Sequence, residues 1–159
     1  MVLLPGVFRR LVKEGLIWED SVDAPHLDLR YDVLREGLPR GTEHYPGIDD
    51  DPRTRFLCAY ENEVLVGCST LQVDSRGGCD YRIRGMAVTP EFRNRGIGTV
   101  IVRELQRYAG EMGTGIWCNA RIKAVTMYER CGFEIVSEVF EIEGIGLHYD
   151  MEWKPGENA

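Results

Sequence analysis

The chain of 159 residues has no apolar run near the ~18 residues that a membrane-crossing helix needs, so no membrane partner is expected. Its three histidines are scattered and its five cysteines form no C-x-x-C pair, which removes any zinc site of ordinary spacing; no metal is expected. The odd cysteine count, and the apolar settings of Cys58, Cys68 and Cys118, point to reduced core thiols rather than a disulfide framework. Basic excess is also missing: 19 Lys and Arg face 26 Asp and Glu, a net charge of −7. Phosphate-rich partners are repelled by such a chain, so nucleic acid is not an expected partner, whereas a small cationic substrate is attracted. The apolar stretch before Pro5-Gly6 is too short for a secretory h-region, so a cytoplasmic location is the expectation. Repeats, low-complexity tracts and linkers are absent. What remains is 43% hydrophobic, enough for a buried core, and residues 1–159 read as a single domain with about six frayed residues at each end.

Hydrophobic periodicity gives the order of elements. Val7–Val12 or Leu16–Trp18 is the first strand. Ser21 or Asp23 caps a helix with Leu27, Tyr31 and Leu34 on one face, and Gly37 stops it. Residues 38–51 form a long loop carrying Glu43, Asp49, Asp50 and Asp51, carboxylates that would draw a cationic amine or simply face solvent. Arg55–Tyr60 and Val64–Val73 form a hairpin across Glu61-Asn62-Glu63. In Tyr81–Val88, alternation sets Tyr81, Ile83 and Ala87 on one side and Arg82, Arg84, Met86 and Val88 on the other, with Gly85 marking a bulge. A helix follows with Ile97, Val100, Ile101, Leu105, Tyr108, Ala109 and Met112 at helical spacing. Then come a strand at Ile116–Ala120, a shorter helix over Ala124–Cys131 closed by Gly132, and two last strands, Glu134–Ile142 and His148–Trp153.

The chemistry concentrates in Met86-Ala87-Val88-Thr89-Pro90-Glu91-Phe92-Arg93-Asn94-Arg95-Gly96-Ile97-Gly98-Thr99: a strand, a loop rich in Arg and Gly, then a helix start. Unpaired N–H groups and a partial positive charge at a helix start bind phosphate. Gly96 and Gly98 remove side chains that would hold a pyrophosphate off the backbone, and Arg93 and Arg95 add forked donors. A dinucleotide fingerprint needs a third small residue where Ile101 stands, and a P-loop needs Gly-Lys-Ser/Thr, so neither applies.

Arg93-x-x-Gly96-x-Gly98 between strand and helix, followed by Ala124-x-x-x-Tyr128-x-x-x-Gly132-Phe133, resembles the GNAT superfamily of acetyl-CoA-dependent N-acetyltransferases. Glu143-Gly144-Ile145-Gly146-Leu147-His148 resembles a branch ending in a G-I-x-H turn. The resemblance implies an α+β (mixed α/β) fold: a mostly antiparallel twisted sheet splayed between its fourth and fifth strands, with helices on both faces. It implies transfer of acetyl from acetyl-CoA, as co-substrate, to a primary amine of a small molecule or peptide, by direct attack in a ternary complex. The alternatives are a non-catalytic acyl-CoA-binding domain or a different acyl donor. A homodimer is a further implication of kinship.

Residue by residue, the resemblance implies that Met86, Ala87 and Val88 pair through their backbone with the pantetheine arm, and that Met86 N–H faces the thioester oxygen. Arg93, Asn94, Arg95, Gly96, Ile97, Gly98 and Thr99 hold the diphosphate. Asn119 and Ala124 lie beside the arm, and Tyr128 protonates the departing thiolate. The chain departs from the pattern in two places. Arg121 stands where many relatives carry asparagine, and Arg82 where some carry a glutamate base. A water chain, or Glu134, Glu138, Glu141 or His148 as proton acceptor, remains as the candidate route for the amine proton.

Overall fold

The structure is a computed structural model and describes residues 15–156. The Val7–Val12 alternative, the frayed N-terminus and the last three residues lie outside the described part. In chain order the elements are β1 (Leu16–Glu19), α1 (Ala24–Arg30), β2 (Arg55–Glu61), β3 (Val64–Arg76), β4 (Cys79–Val88), α2 (Ile97–Glu111), β5 (Gly115–Arg121), α3 (Val125–Arg130), β6 (Glu134–Ile135), β7 (Phe140–Ile142) and β8 (Gly146–Trp153). The strands form one sheet in the order β1-β2-β3-β4-β5-β8-β6, with β7 also on β8. Neighbours are antiparallel except β4 and β5. Among the described residues no helix is long and apolar enough to cross a membrane.

Local chemistry accounts for the connections. Asp23 caps α1 by accepting from His26 N–H at 3.1 Å. Asn62 and Glu63 both take positive φ, 50° and 67°, the mirror-image turn that matches strand twist in a tight hairpin. On α2, Ile97, Ile101, Leu105 and Ala109 of the expected stripe are buried, joined by Val102 and Gln106 from outside it, while Met112 at its end is exposed. Each large aliphatic side chain so buried contributes about 1.5–3 kcal/mol.

The sheet buries both faces. Leu57, Ala59, Leu71 and Ile83 join the main core under α2 and α3, where Gly67 lets Ile97 and Ile101 approach β3. On the other face Leu29 of α1 packs with Cys68 and Ala87.

Three expectations change. The helix passes at Arg30 into a π-helical turn over Tyr31–Arg35; the buried residues of α1 are His26, Leu29 and Arg30 rather than Leu27, while Leu34 in the turn packs beside Leu29. The fully buried Arg30 is accommodated because Asp49 clasps its guanidinium through two hydrogen bonds of 2.8 Å. Ile83 and Ala87 do not share a face: one extra residue at Gly85-Met86, opposite Ser69, flips the alternation, so Met86 and Val88 pack with the main core. The expected strand Glu134–Ile142 is two short strands. Between them the Ser137 hydroxyl accepts the Asp150 N–H at 2.9 Å, so a side chain replaces the ladder bond.

Candidate active site

The site begins where two strands part. The parallel ladder of β4 and β5 runs from Cys79↔Gly115 to Ile83↔Cys118 and stops. Beyond it β5 continues on β8 as far as Arg121↔His148, while β4 bends away at the bulge. The stretch from Arg84 to Val88 therefore shows backbone groups without a strand partner on the β5 side. Gly85 is required here twice over: its φ is 58°, and an added Cβ would stand 3.0 Å from Tyr45 Oη and 3.3 Å from Arg30 Nε. The gap opens into a cleft of about 430 Å³.

At one end of the cleft the chain leaves β4 through a short turn at Pro90–Phe92 and enters α2. Asn94 and Gly96 take positive φ, 61° and 81°, and no side chain caps the helix. Its first amides thus point outward with the helix dipole behind them. Gly98 has helical geometry, and a Cβ there would meet only Met127 Cε at 3.8 Å and Val88 Cγ2 at 4.0 Å. Packing inside the protein does not ask for glycine at this position. Close approach from outside does, and that fits a diphosphate lying on the backbone.

The other walls carry side chains that can act. Tyr128 is buried against the edge of Phe133, with ring centres 5.1 Å apart. Burial, and then the neighbouring Cys118 thiol with which it shares a hydrogen bond, hold its phenol well above the ordinary value, so it stays protonated. His148 is 3% exposed. Its Nδ1 lies 2.7 Å from Gly146 O, which can only accept, so Nδ1 carries the proton and Nε2 keeps its lone pair. Burial lowers the His148 pKa, and Arg121 and Arg35 nearby add to the effect. Arg82 stacks on Trp117 with its guanidinium 4.4 Å from the ring centre, 3.6 Å from Asp74, and bonded to Asn119 Oδ1.

The acetyltransferase (GNAT) family profile matches residues 17–133. The chain belongs to the GNAT family. An uncharacterized N-acetyltransferase of Bacillus subtilis (strain 168), YitI, is 35% identical over 72 residues, covering 45% of this chain and 48% of that protein. The chain thus spans about half the length of that curated relative. Among solved structures, a putative N-acetyltransferase from Lactobacillus plantarum superposes with a TM-score of 0.74 at 16% identity, covering 87% of this chain and 96% of that one. An aminoglycoside 6′-N-acetyltransferase complexed with coenzyme A gives a TM-score of 0.66 at 15% identity, with 87% and 96% covered. The splayed sheet is the GNAT fold.

Within this GNAT frame, Met86, Ala87, Val88, Arg93, Ala124 and Tyr128 line one cleft, with Asn119 beside them. Asn94, Arg95, Gly96, Ile97, Gly98 and Thr99 lie outside that lining and form the adjoining helix start. The Asn119 amide is engaged internally, accepting from Arg82 and donating to Asp150. Of the four candidate proton acceptors only His148 reaches the cleft; Glu134, Glu138 and Glu141 are exposed elsewhere. The acidic loop does not supply an amine trap. Asp49 binds Arg30 and Tyr45 N–H, Glu43 binds Gly41 N–H and pairs with Arg40, Asp51 pairs with Arg53, and none of the loop's carboxylates lines the cleft. Sequence reasoning missed Arg35 and Tyr45, which come from the segments after α1, and Arg84, which read only as one face of a strand.

Proposed function

We propose that this GNAT chain moves the acetyl group of acetyl-CoA to a primary amine, by direct attack in a ternary complex. One observation carries the reading: the partnerless edge of β4 at residues 84–88 leads straight to an uncapped helix start at which Gly98 serves no internal need. An extended amide-bearing arm with a diphosphate at its end matches that sequence of features. The coenzyme A seen in the fold neighbour supports the assignment by kinship.

The chain's groups divide the work. The N–H groups from Gly96 to Thr99 receive the diphosphate, and Arg93, beside the loop, adds charge. Met86 N–H donates to the thioester oxygen as negative charge grows there. The amine nitrogen then bonds to the carbonyl carbon, the C–S bond breaks, and sulfur leaves with the electron pair. Tyr128 donates a hydrogen bond to that sulfur. Its pKa stands above the ~8.5 of an ordinary thiol, so the phenol stabilises the thiolate rather than surrendering its proton outright. His148 Nε2 accepts the proton shed by the amine and passes it to solvent.

The test is release of free thiol from acetyl-CoA across a panel of primary amines. The described cysteines are all buried, so the protein itself contributes little thiol signal. Amine-dependent thiol release is the expected result, and none with any amine rejects transfer.

A further inference from the structure

The cleft and the chain have opposite charge. The chain is net −7, yet the cleft is lined by Arg35, Arg82, Arg84, Arg93, Arg121 and Lys123 and by no Asp or Glu. Arg93 stands at the phosphate loop, exposed Lys123 follows β5, and Arg82 is answered by Asp74. The other three are half-buried and form no ion pair among the described residues; Arg84 feels Asp74 only at longer range. Arg35 donates from Nε to Thr42 O at 3.2 Å and from Nη1 to Leu34 O at 3.1 Å. Arg121 donates to the same Leu34 O at 2.9 Å. Arg84 and Arg35 both lie over Tyr45, 5.1 and 5.8 Å from its ring centre. Shared contacts thus place three guanidinium groups in one corner, away from the helix start. Burial pushes Arg84 and Arg121 below their usual range, and Arg35 beside them pushes the same way.

Arg30 supplies the contrast. The chain buries that guanidinium for structure and gives it Asp49. At the cleft it leaves three guanidinium groups with carbonyls and a ring, and half-buried charge of one sign is unfavourable until an anion completes it. We propose that the acceptor amine itself carries a carboxylate, which Arg35, Arg84 and Arg121 hold opposite the phosphate loop. This assignment of a substrate class rests on the acetyl-transfer reading. Val33, Leu34, Ile142 and Ile145 line the same cleft, so an amino acid with an apolar side chain fits best. Polycationic amines are repelled. The same positive field favours loss of the ammonium proton, yielding the neutral amine that attack requires.

Two measurements on the full chain test this separately from the reaction. Calorimetry with coenzyme A present compares N-acetyl-L-phenylalanine with its carboxamide, and the carboxylate form is expected to bind about tenfold tighter or more. Turnover compares L-phenylalanine and L-leucine with their carboxamides, with spermidine and with O-phosphoethanolamine; the free acids are expected to lead by about tenfold in kcat/KM. Arg84→Gln should erase the acid-over-amide ratio while coenzyme A affinity stays within about threefold, and Arg84→Lys should keep part of it. Preference in binding without turnover by any amine sinks the transfer reading and leaves the anion pocket standing. Equal binding of acid and amide, a lead by amides or spermidine, or a lead by O-phosphoethanolamine overturns the carboxylate proposal. So does an Arg84→Gln variant that loses coenzyme A while its acid-over-amide ratio is unmoved.

Discussion

Substituting Gly98 by aspartate should stabilise the protein and disable it at once. A Cβ at this position meets neighbours at 3.8 and 4.0 Å, ordinary contact distances, so the fold accepts a side chain without strain. Glycine in a helix costs about 0.5–1 kcal/mol relative to alanine, and aspartate recovers part of that. A carboxylate in the first turn of the 15-residue helix α2 adds about 0.3–1 kcal/mol through the dipole. The ligand-free variant should therefore gain roughly 0.5–1.5 kcal/mol, which in a domain of this size raises Tm by about 1–6 °C. Coenzyme A meets the opposite effect. A carboxylate in contact with a phosphate charge is opposed by ~1 kcal/mol in water and ~4 kcal/mol at a protein surface, and the diphosphate carries two such charges. A total of about 2–4 kcal/mol means a loss of roughly 30- to 700-fold in affinity. Thermal unfolding with and without coenzyme A, joined to calorimetry, reads both signs. At a concentration giving the parent about 2.7 kcal/mol of ligand stabilisation, the variant should gain about 0.1–0.9 kcal/mol. Gly98→Ala should share the stability gain and keep most of the affinity. An aspartate variant that binds coenzyme A within threefold of the parent would refute the placement of the diphosphate.

Further outcomes follow from the same geometry. Tyr128→Phe removes a donor to a developing thiolate, a bond of about 1.5–3 kcal/mol, so kcat should fall about 10- to 100-fold with coenzyme A affinity unchanged; an unaltered kcat excludes the phenol from the step. Asp49→Ala leaves the buried Arg30 without its carboxylate and should cost about 3–5 kcal/mol in denaturant unfolding; a loss under 1 kcal/mol would mean the pair is not needed. His26 is held down to about 4, first by burial and then by Arg30. Between its unfolded value of 6.5 and that value the unfolded chain binds a proton that the folded chain refuses. Stability is thus full above pH 6.5 and falls by up to about 3 kcal/mol as the pH drops toward 4. Urea titrations at several pH values should show this slope, and His26→Gln should flatten it.

The features legible in the sequence are those that short-range pattern determines. The stripe of α2 shows because one face meets one core, and Gly85 shows because a lone glycine in a strand signals irregular backbone. The arginine- and glycine-rich loop shows because a helix start without a side-chain cap has few purposes. What stayed hidden depends on partners far along the chain. The burial of Arg30 leaves no mark in the local pattern, because Asp49, which accommodates it, lies far along the chain. Ala87 reads as facing the same way as Ile83 because alternation cannot tell how many residues a bulge absorbs. The strand over residues 134–142 reads as continuous because nothing local announces that the Ser137 hydroxyl will take the Asp150 amide. Net charge and the acidic loop point to a cationic substrate, whereas arginines line the cleft, since an average over the chain says little about where Arg35, Arg84 and Arg121 converge.

The short seam between β4 and β5 has a mechanical meaning. From Cys79 to Ile83 the two halves of the sheet are stitched together; past that point they diverge like the arms of a wedge, and the Arg121–Leu34 hydrogen bond links β5 to the segment beside the other arm. Whatever lies along the open arm of β4 becomes, in effect, a temporary strand that lengthens the stitching. Amide exchange at residues 84–88 is then a gauge of occupancy, and on the proposed reading the two halves would gain cohesion whenever an extended arm lies there.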